Sequence, residues 1–520
     1  MSSKWVSTRN GQTKDASNPT ATSGRASRKK PSISNERFLS RLMECEIKTH
    51  KGRARSAQSI LNEIQDQYSV SPEQNIKLIN SRAQSFGAQD KFEESLEAIK
   101  SIEKEKAFQE AEIETQIAIE IQKATSTSKT GDSDQAIKQL KETLRRVLDQ
   151  ESEHLLGAVY IAFSEVYGVQ RDLKASYSYA EKGLDNFRDS GDWRGMVKAY
   201  YLMARAKLAE KEHKKSLDYF ELATKIAKEE SAPVLMGGVY SDRSLSHMAL
   251  SQSKEAVFWG EKAVGLLSKT EDKTVAMIAK TNLSANLIVV GDWARAEELL
   301  LESLEFAAQA NHPYLSKIYN SLGELKFFQG RLDEARELLE KGVEFADKNE
   351  NEISQIENAL TMTSVFVAEG SIEEAIEEAD EIIKCCKILA EEDLEIHARL
   401  ILAEAYLTSE KLGKTKSELD AIEAGISKNS FAITGKNQLL LGRLAAATDD
   451  SKTAIHSFRR ALTIFETRED LYHSALTHYL LGQILILLRI DLINARPEYR
   501  NRSSVVFKGY FVSQGIDSIG

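Results

Sequence analysis

A short side chain returns about every forty residues along most of this chain, and few folds accommodate such a beat. The residues are Ser56, Ser95, Ala136, Ser176, Ser216, Ala256, Ala296, Ala335, Ala375, Thr415 and Ala454. Their successive spacings are 39, 41, 40, 40, 40, 40, 39, 40, 40 and 39. Self-similarity at a fixed period of this size marks stacked structural repeats rather than one globular core. A second column keeps time twelve residues earlier: Ala83, Ala124, Ser164, Ala204, Ser244, Ser284, Gly323, Thr363, Ala403 and Gly442, with Gly482 continuing the phase. The first repeat departs, having Glu44 at this place. Two small columns straddling a turn suit the closest approach of antiparallel helices, where a large side chain costs about 1–3 kcal/mol by overpacking.

Between the columns the chain reads as helix, turn, helix. Gly131-Asp132, Gly291-Asp292, Gly330-Arg331 and Gly370-Ser371 each open a turn that runs directly into a helix start and then reaches the small residue. Four residues after the first column, on the same helical face, stand Ile60, Ile99, Leu140, Phe220, Leu300, Leu339, Leu419 and Phe458. Ala180, Gly260 and Ala379 interrupt that series, so their repeats are expected to pack less bulk. Pro72, Pro233 and Pro313 lie 22 or 23 residues before a column residue, where a first helix should begin. Ser71-Pro72-Glu73-Gln74 reads as a capping box. The expected architecture is all-α: a right-handed superhelical solenoid of about eleven helix-turn-helix repeats over residues 36–490, curving as a rod.

These columns resemble the tetratricopeptide repeat, whose pattern runs W-x2-L-G-x2-Y and later A-x3-F. Tyr319, Leu322, Gly323, Ala335 and Leu339 match it best, with Lys326 where an aromatic is expected. Phe86, Tyr167, Phe366 and Tyr406 do hold an aromatic at that position. Tyr160, Tyr200, Tyr240 and Tyr319 stand where the pattern has Trp, and are expected to pack within their repeats. The long period is similar to the arrays of the maltose-regulon activator family of bacterial regulators and of kinesin light chains. The resemblance implies a superhelix whose concave side, lined by first helices, binds peptides or protein segments. It places Tyr201, Ser241, Thr281 and Asn320 toward that concavity, and Glu324 and Glu404 are further groove positions suited to charge reversal. One subclass of the family clamps the C-terminal carboxylate of chaperone tails with Lys and Asn at fixed first-helix positions. Here Asn80, Asn282 and Asn320 share no repeated position, which argues against such a clamp.

Catalytic signatures are missing. The sequence contains no GxxxxGK[ST], GxGxxG or GxSxG in a strand-turn-helix setting and no HExxH. Cys385 and Cys386 are adjacent, so on a helix they point about 100° apart and make a poor joint thiol site. One packed and one interfacial cysteine is the simpler reading. The nine histidines fall at no ligand spacing, and Glu373, Glu374, Glu377 and Glu378 read as a solvated helix face rather than paired catalytic acids. The expectation is a non-enzymatic chain without cofactor or metal.

Charge and composition narrow the partners. With 28% charged residues and six prolines in 520, the chain suits many amphipathic helices better than a Pro-punctuated β protein. The net charge is −10, but residues 1–35 carry seven Lys/Arg (Lys4, Arg9, Lys14, Arg25, Arg28, Lys29, Lys30) against Asp15. The remaining body is acidic, which disfavours broad nucleic-acid binding except through this tail. The tail has almost no large apolar residues and is expected to be disordered. Three cysteines cannot form a disulfide framework, no apolar run approaches the ~20 residues of a membrane span, and the N-terminus lacks a signal segment. A cytoplasmic protein is expected. From 491 to 520 the rhythm fails, and Val505, Val506, Phe507, Tyr510, Phe511 and Val512 favour extended structure, as an atypical tail or the start of a further domain. The functional expectation is a scaffold binding protein or peptide segments in an acidic superhelical groove. The alternative is the sensory or regulatory arm of a bacterial signalling or transcription regulator.

Overall fold

The structure is a computed structural model and describes residues 30–227, 232–425 and 431–487. The expected atypical tail at 491–520 and most of the basic tail lie outside the described residues. Apart from one isolated bridge between Ser32 and Ser69, the described residues are built of helices and the turns between them. The first three pairs are α1 (Asn35–His50) with α2 (Ala54–Gln67), α3 (Pro72–Gly87) with α4 (Phe92–Lys100), and, after the single-turn α5 (Lys106–Gln109), α6 (Ile113–Lys129) with α7 (Ser133–Leu148). Next come α8 (Glu153–Val169) with α9 (Leu173–Ser190), α10 (Trp193–Ala209) with α11 (His213–Ile226), and α12 (Pro233–Ala249) with α13 (Ser253–Leu267). Then follow α14 (Lys273–Val290) with α15 (Trp293–Gln309), α16 (Leu315–Phe328) with α17 (Leu332–Lys348), and α18 (Glu352–Glu369) with α19 (Ile372–Leu389). The last pairs are α20 (Glu392–Thr408) with α21 (Leu412–Gly425) and α22 (Phe431–Ala447) with α23 (Ser451–Thr467), and α24 (Leu471–Leu487) starts a twelfth unit.

From the second repeat onward both small columns are buried where the paired helices approach most closely. A Cβ added at Gly323 or Gly442 would stand 2.6 Å from Leu339 or Phe458, so the small residue and the bulky one four places after its partner are a matched set. Where the column holds serine, its hydroxyl donates to the carbonyl twelve residues earlier: Ser95 to Ala83 at 3.0 Å, Ser176 to Ser164 at 2.9 Å and Ser216 to Ala204 at 2.8 Å. A buried hydroxyl is thereby satisfied at the point of closest contact. At Gly260, where the sequence offers no bulk, Leu283 of the next first helix fills the space.

The turn inside each repeat has its own column. Five residues before the small residue the backbone adopts positive φ at Asp90, Gly131, Arg171, Lys211, Ser251, Gly291, Gly330, Gly370, Glu410 and Asp449. In the first repeat the corresponding residue is Gly52, which lies five before Ala57 rather than Ser56. Cys45 and Ala57 are the buried pair there, twelve apart, with the Cys45 thiol 3.7 Å from the Ala57 carbonyl. The register of the first repeat is therefore one residue later than Ser56 and Glu44 suggest. Pro72 and Pro233 begin their helices as expected, and Ser71 with Gln74 forms the capping box. Pro313 instead sits in the turn before α16, which starts at Leu315. The packed array also begins before residue 36: Ile33 is buried, Ser34 caps α1, and the Lys30 ammonium donates to the Gln65 carbonyl at 2.7 Å.

Stacking is asymmetric, and that asymmetry produces the curvature. Each second helix packs on the following first helix, as α9 does on α10 and α17 on α18. First helices of neighbouring repeats also touch, as α6 with α8, α12 with α14 and α16 with α18, whereas neighbouring second helices do not pack to a comparable extent. The first helices therefore form the inner wall. The curve is tight enough for successive superhelical turns to meet. Glu271 donates its amide to the Gly52 carbonyl at 2.6 Å and accepts from the Ser56 amide at 3.1 Å, 215 residues away. Arg171 pairs with Glu391 at 3.2 Å, Lys211 with Asp393 at 2.8 Å and Lys254 with Glu469 at 2.8 Å. The Phe328 ring packs at a tilt against Tyr472 with ring centroids 4.7 Å apart. The expected curved rod is thus a closed coil of a little over five repeats per turn, with a bore along its axis.

Candidate functional site

The bore wall is built from the inward faces of first helices, which are tied sideways by polar bonds between repeats. The Tyr201 hydroxyl on α10 donates to Asp242 on α12 at 3.0 Å, and the Arg205 guanidinium lies 3.4 Å from the same carboxylate. Asn282 on α14 donates to Ser241 at 3.1 Å and accepts from the Tyr314 hydroxyl at 3.2 Å. Thr361 on α18 donates to Asn320 at 2.8 Å, and Lys317 pairs with Glu357 at 3.1 Å. Surrounding protein changes how these groups ionise. Loss of hydration raises the Tyr201 phenol, and the Asp242 charge adds to it. The same desolvation raises Asp242 against the pull of Arg205. Glu324 on α16 is raised by desolvation, while Lys436, Lys317 and His473 favour its charge. His397 on α20 is pushed down to about 4 by burial and by Lys436. Groups from α16, α20, α22 and α24 thus feel one another across the bore.

The six groove positions read from the sequence meet different fates. Tyr201 and Asn320 are half-buried on the wall and are engaged by Asp242 and Thr361. Ser241 and Thr281 do not face the bore, being only 3% and 1% exposed. Ser241 is covered by the Asn282 amide, and the Thr281 hydroxyl turns back to the Met277 carbonyl at 3.0 Å. One position later, Asp242 and Asn282 are half-buried and make the polar bonds of the wall where Ser241 and Thr281 were expected. Glu404 forms an ion pair with Arg443. Glu324 is half-buried and makes no hydrogen bond or ion pair with any described residue. Asp242, Arg205, Tyr314, His397 and Lys436 were not singled out by sequence reasoning. They share no column, and only the curvature brings them together.

The wall is not the acidic groove that the body charge suggests, because its carboxylates face cations: Asp242 with Arg205, Glu357 with Lys317, Glu404 with Arg443, and Glu324 within reach of Lys436. Asn282 and Asn320 serve neighbouring helices, an arrangement unlike a carboxylate clamp. Tyr160, Tyr200 and Tyr240 pack on Tyr179, Tyr219 and Trp259 of their own second helices, and Tyr319 packs against the apolar core. Lys326, in place of an aromatic, is 7% exposed and pairs with Glu297 of the preceding repeat. Cys385 is exposed and Cys386 buried, with burial pushing the Cys386 thiol up to about 11. Glu373, Glu374 and Glu377 are exposed. Among the described residues no group of three His, Cys, Asp or Glu could hold a metal ion, and no helix is long and apolar enough to cross a membrane.

Tetratricopeptide-repeat models match residues 197–230 and 275–348, inside the stretch where the small columns and the pattern residues are best kept. Both stretches are tetratricopeptide repeats. Among solved structures, a Rap protein complexed with Competence and Sporulation Factor is similar over 69% of this chain and 99% of its own, at 17% identity and a TM-score of 0.54. The apo form of the quorum sensor NprR from B. thuringiensis is similar over 67% of this chain and 98% of its own, at 13% identity and a TM-score of 0.48. The Cut9 and Hcn1 hetero-tetramer of the APC/C is similar over 92% of this chain and 86% of its own, at 14% identity and a TM-score of 0.45. At such identities the likeness concerns the fold. No curated protein matches the sequence.

Proposed function

We propose that this repeat array is a cytoplasmic, non-enzymatic scaffold that holds an extended polypeptide segment of a protein partner against the first helices of its bore. The observation that most supports this is the bore wall, where polar side chains from four first helices converge and Glu324 has no hydrogen-bond or ion-pair partner among the described residues. A peptide presents main-chain donors and acceptors at regular intervals, and a wall of tyrosine, asparagine and paired charges can meet them without leaving buried groups unsatisfied. The fold it shares with the Rap protein, which is solved with Competence and Sporulation Factor, is consistent with that use. Affinity capture with crosslinking tests the reading. Glu324→Lys should reduce partner recovery and crosslinks should fall on first helices, whereas Glu373→Lys on the outer surface should leave recovery unchanged. Undiminished recovery after Glu324→Lys and Asp242→Lys together, in a folded protein, would refute it.

A second reading, in which the array is the sensing arm of a bacterial signalling or transcription regulator, draws on the same likeness to Rap. It requires that the captured partner or a linked effector change activity when the bore is filled. A filled bore with no such change would leave the scaffold alone.

A further inference from the structure

The contacts between successive superhelical turns differ along the seam. At its beginning Glu271 is bonded to backbone and side chain at Gly52 and Ser56. At its end Ser253 donates to the Arg468 carbonyl, Lys254 pairs with Glu469 at 2.8 Å, and the Phe328 ring packs at a tilt against Tyr472. Between them ion pairs tie the turns, Arg171 with Glu391 and Lys211 with Asp393. Both cations are at least half exposed, at 68% and 51% of their side-chain surface, so water and salt compete for them. Both also occupy the left-handed position of a repeat turn, which costs a non-glycine residue conformational energy.

We infer that this ionic stretch, joining repeats four and five to the turn between repeats nine and ten, is a salt-sensitive latch for side entry into the bore. The inference rests on the proposed use of the bore as the binding surface. Along each turn the helices pack without a gap, second helix on following first helix, so a segment entering from the side must part the seam. The seam opens most readily where exposed ion pairs hold it without the hydrogen bonds to backbone found at both ends, which, with the Phe328–Tyr472 contact at the later end, keep the coil in register.

The latch is tested without any partner. In the full chain carrying Cys385→Ser, Glu324→Cys places a thiol on the bore wall, and its reaction with N-ethylmaleimide is compared with that of a maleimide bearing a polyethylene glycol chain. Raising salt to about 1 M, where the Debye length is about 3 Å, should increase the rate ratio of bulky to small reagent. Glu391→Lys with Asp393→Lys should raise the ratio about five- to tenfold, the population change open to a pair of exposed ion pairs. Adding Arg171→Glu with Lys211→Glu should restore it. A ratio unmoved by the reversal, or one where both reagents speed up equally through general loosening, would overturn the latch. Because the assay contains no partner, that result would leave the capture experiment standing.

Discussion

Repeats four to eight share one continuous apolar core from Ile161 to Leu325, whereas the second repeat belongs to a smaller core that runs from Ile33 to Ile119 and contains a shortened helix. In the middle, Phe220, Leu283, Leu300 and Leu322 are buried in an unbroken series, with Leu283 crossing to fill the space left by Gly260. In the second repeat α4 ends at Lys100, the Ser101 hydroxyl turns back to the Ala98 carbonyl at 2.6 Å, and α5 tucks Phe108 into the gap. A hydroxyl that offers the backbone a local alternative weakens the helical ladder at that point. Equal periods therefore do not imply equal strength. In a solenoid, stability is nearly a sum of repeat and nearest-neighbour terms, so the second repeat should be where opening begins.

The largest effect separates the two cores. Phe220→Ala should cost about 3–5 kcal/mol and Phe108→Ala distinctly less, because the insert can collapse around the smaller residue. Denaturant titration of both variants measures this, and equal costs would erase the distinction. Next comes a charge peculiar to the middle. Lys326→Ala should cost about 2–3 kcal/mol, because Glu297 would keep its partly buried charge without its cation. A cost near zero in the same titration would mean that the pair is replaceable by water. The smallest effect links the two regions, since Asp272 caps α14 in the middle and lies near Asp90 of the second repeat. Burial, with a contribution from Asp90, raises Asp272 to about 6 from 3.8. A raised carboxylate binds its proton more tightly in the folded state, so stability falls as pH rises from about 4 to 6. Asp272→Asn keeps a capping side chain and should remove that decline, leaving the variant more stable at pH 7 by about 1 kcal/mol. Thermal unfolding at pH 4, 5, 6 and 7 reads the difference, and parallel curves for both proteins would count against it.

What was legible in the sequence is what one repeat decides for itself. Gly131-Asp132 and Gly291-Asp292 each supply a positive-φ residue and a capping carboxylate, with Asp132 accepting from the Gln135 amide and Asp292 from the Arg295 amide. The small columns are legible for the same reason: both helices of a pair lie within forty residues. The one-residue shift of the first repeat could have been found, because Gly52 stands five before Ala57 as Gly131 stands five before Ala136. The bore could not. Whether Ser241 or Asp242 faces inward depends on the small rotation between neighbouring repeats, and no residue type reports that angle. The seam depends on the same rotation accumulated over five repeats, so the pairing of Lys254 with Glu469 carries no periodic signature. The cations at Arg171 and Lys211 were visible at their turns, but not the acids they reach.

Zero-length carbodiimide coupling of the unmodified protein, read by peptide mass spectrometry, tests the closed coil most directly, since it joins only ammonium and carboxylate groups already in contact. Closure predicts coupled peptides joining Lys254 to Glu469 and Lys211 to Asp393, both 2.8 Å apart, beside those within and between adjacent repeats. Products confined to adjacent repeats, at low salt and with the protein folded, would contradict closure and leave an open rod.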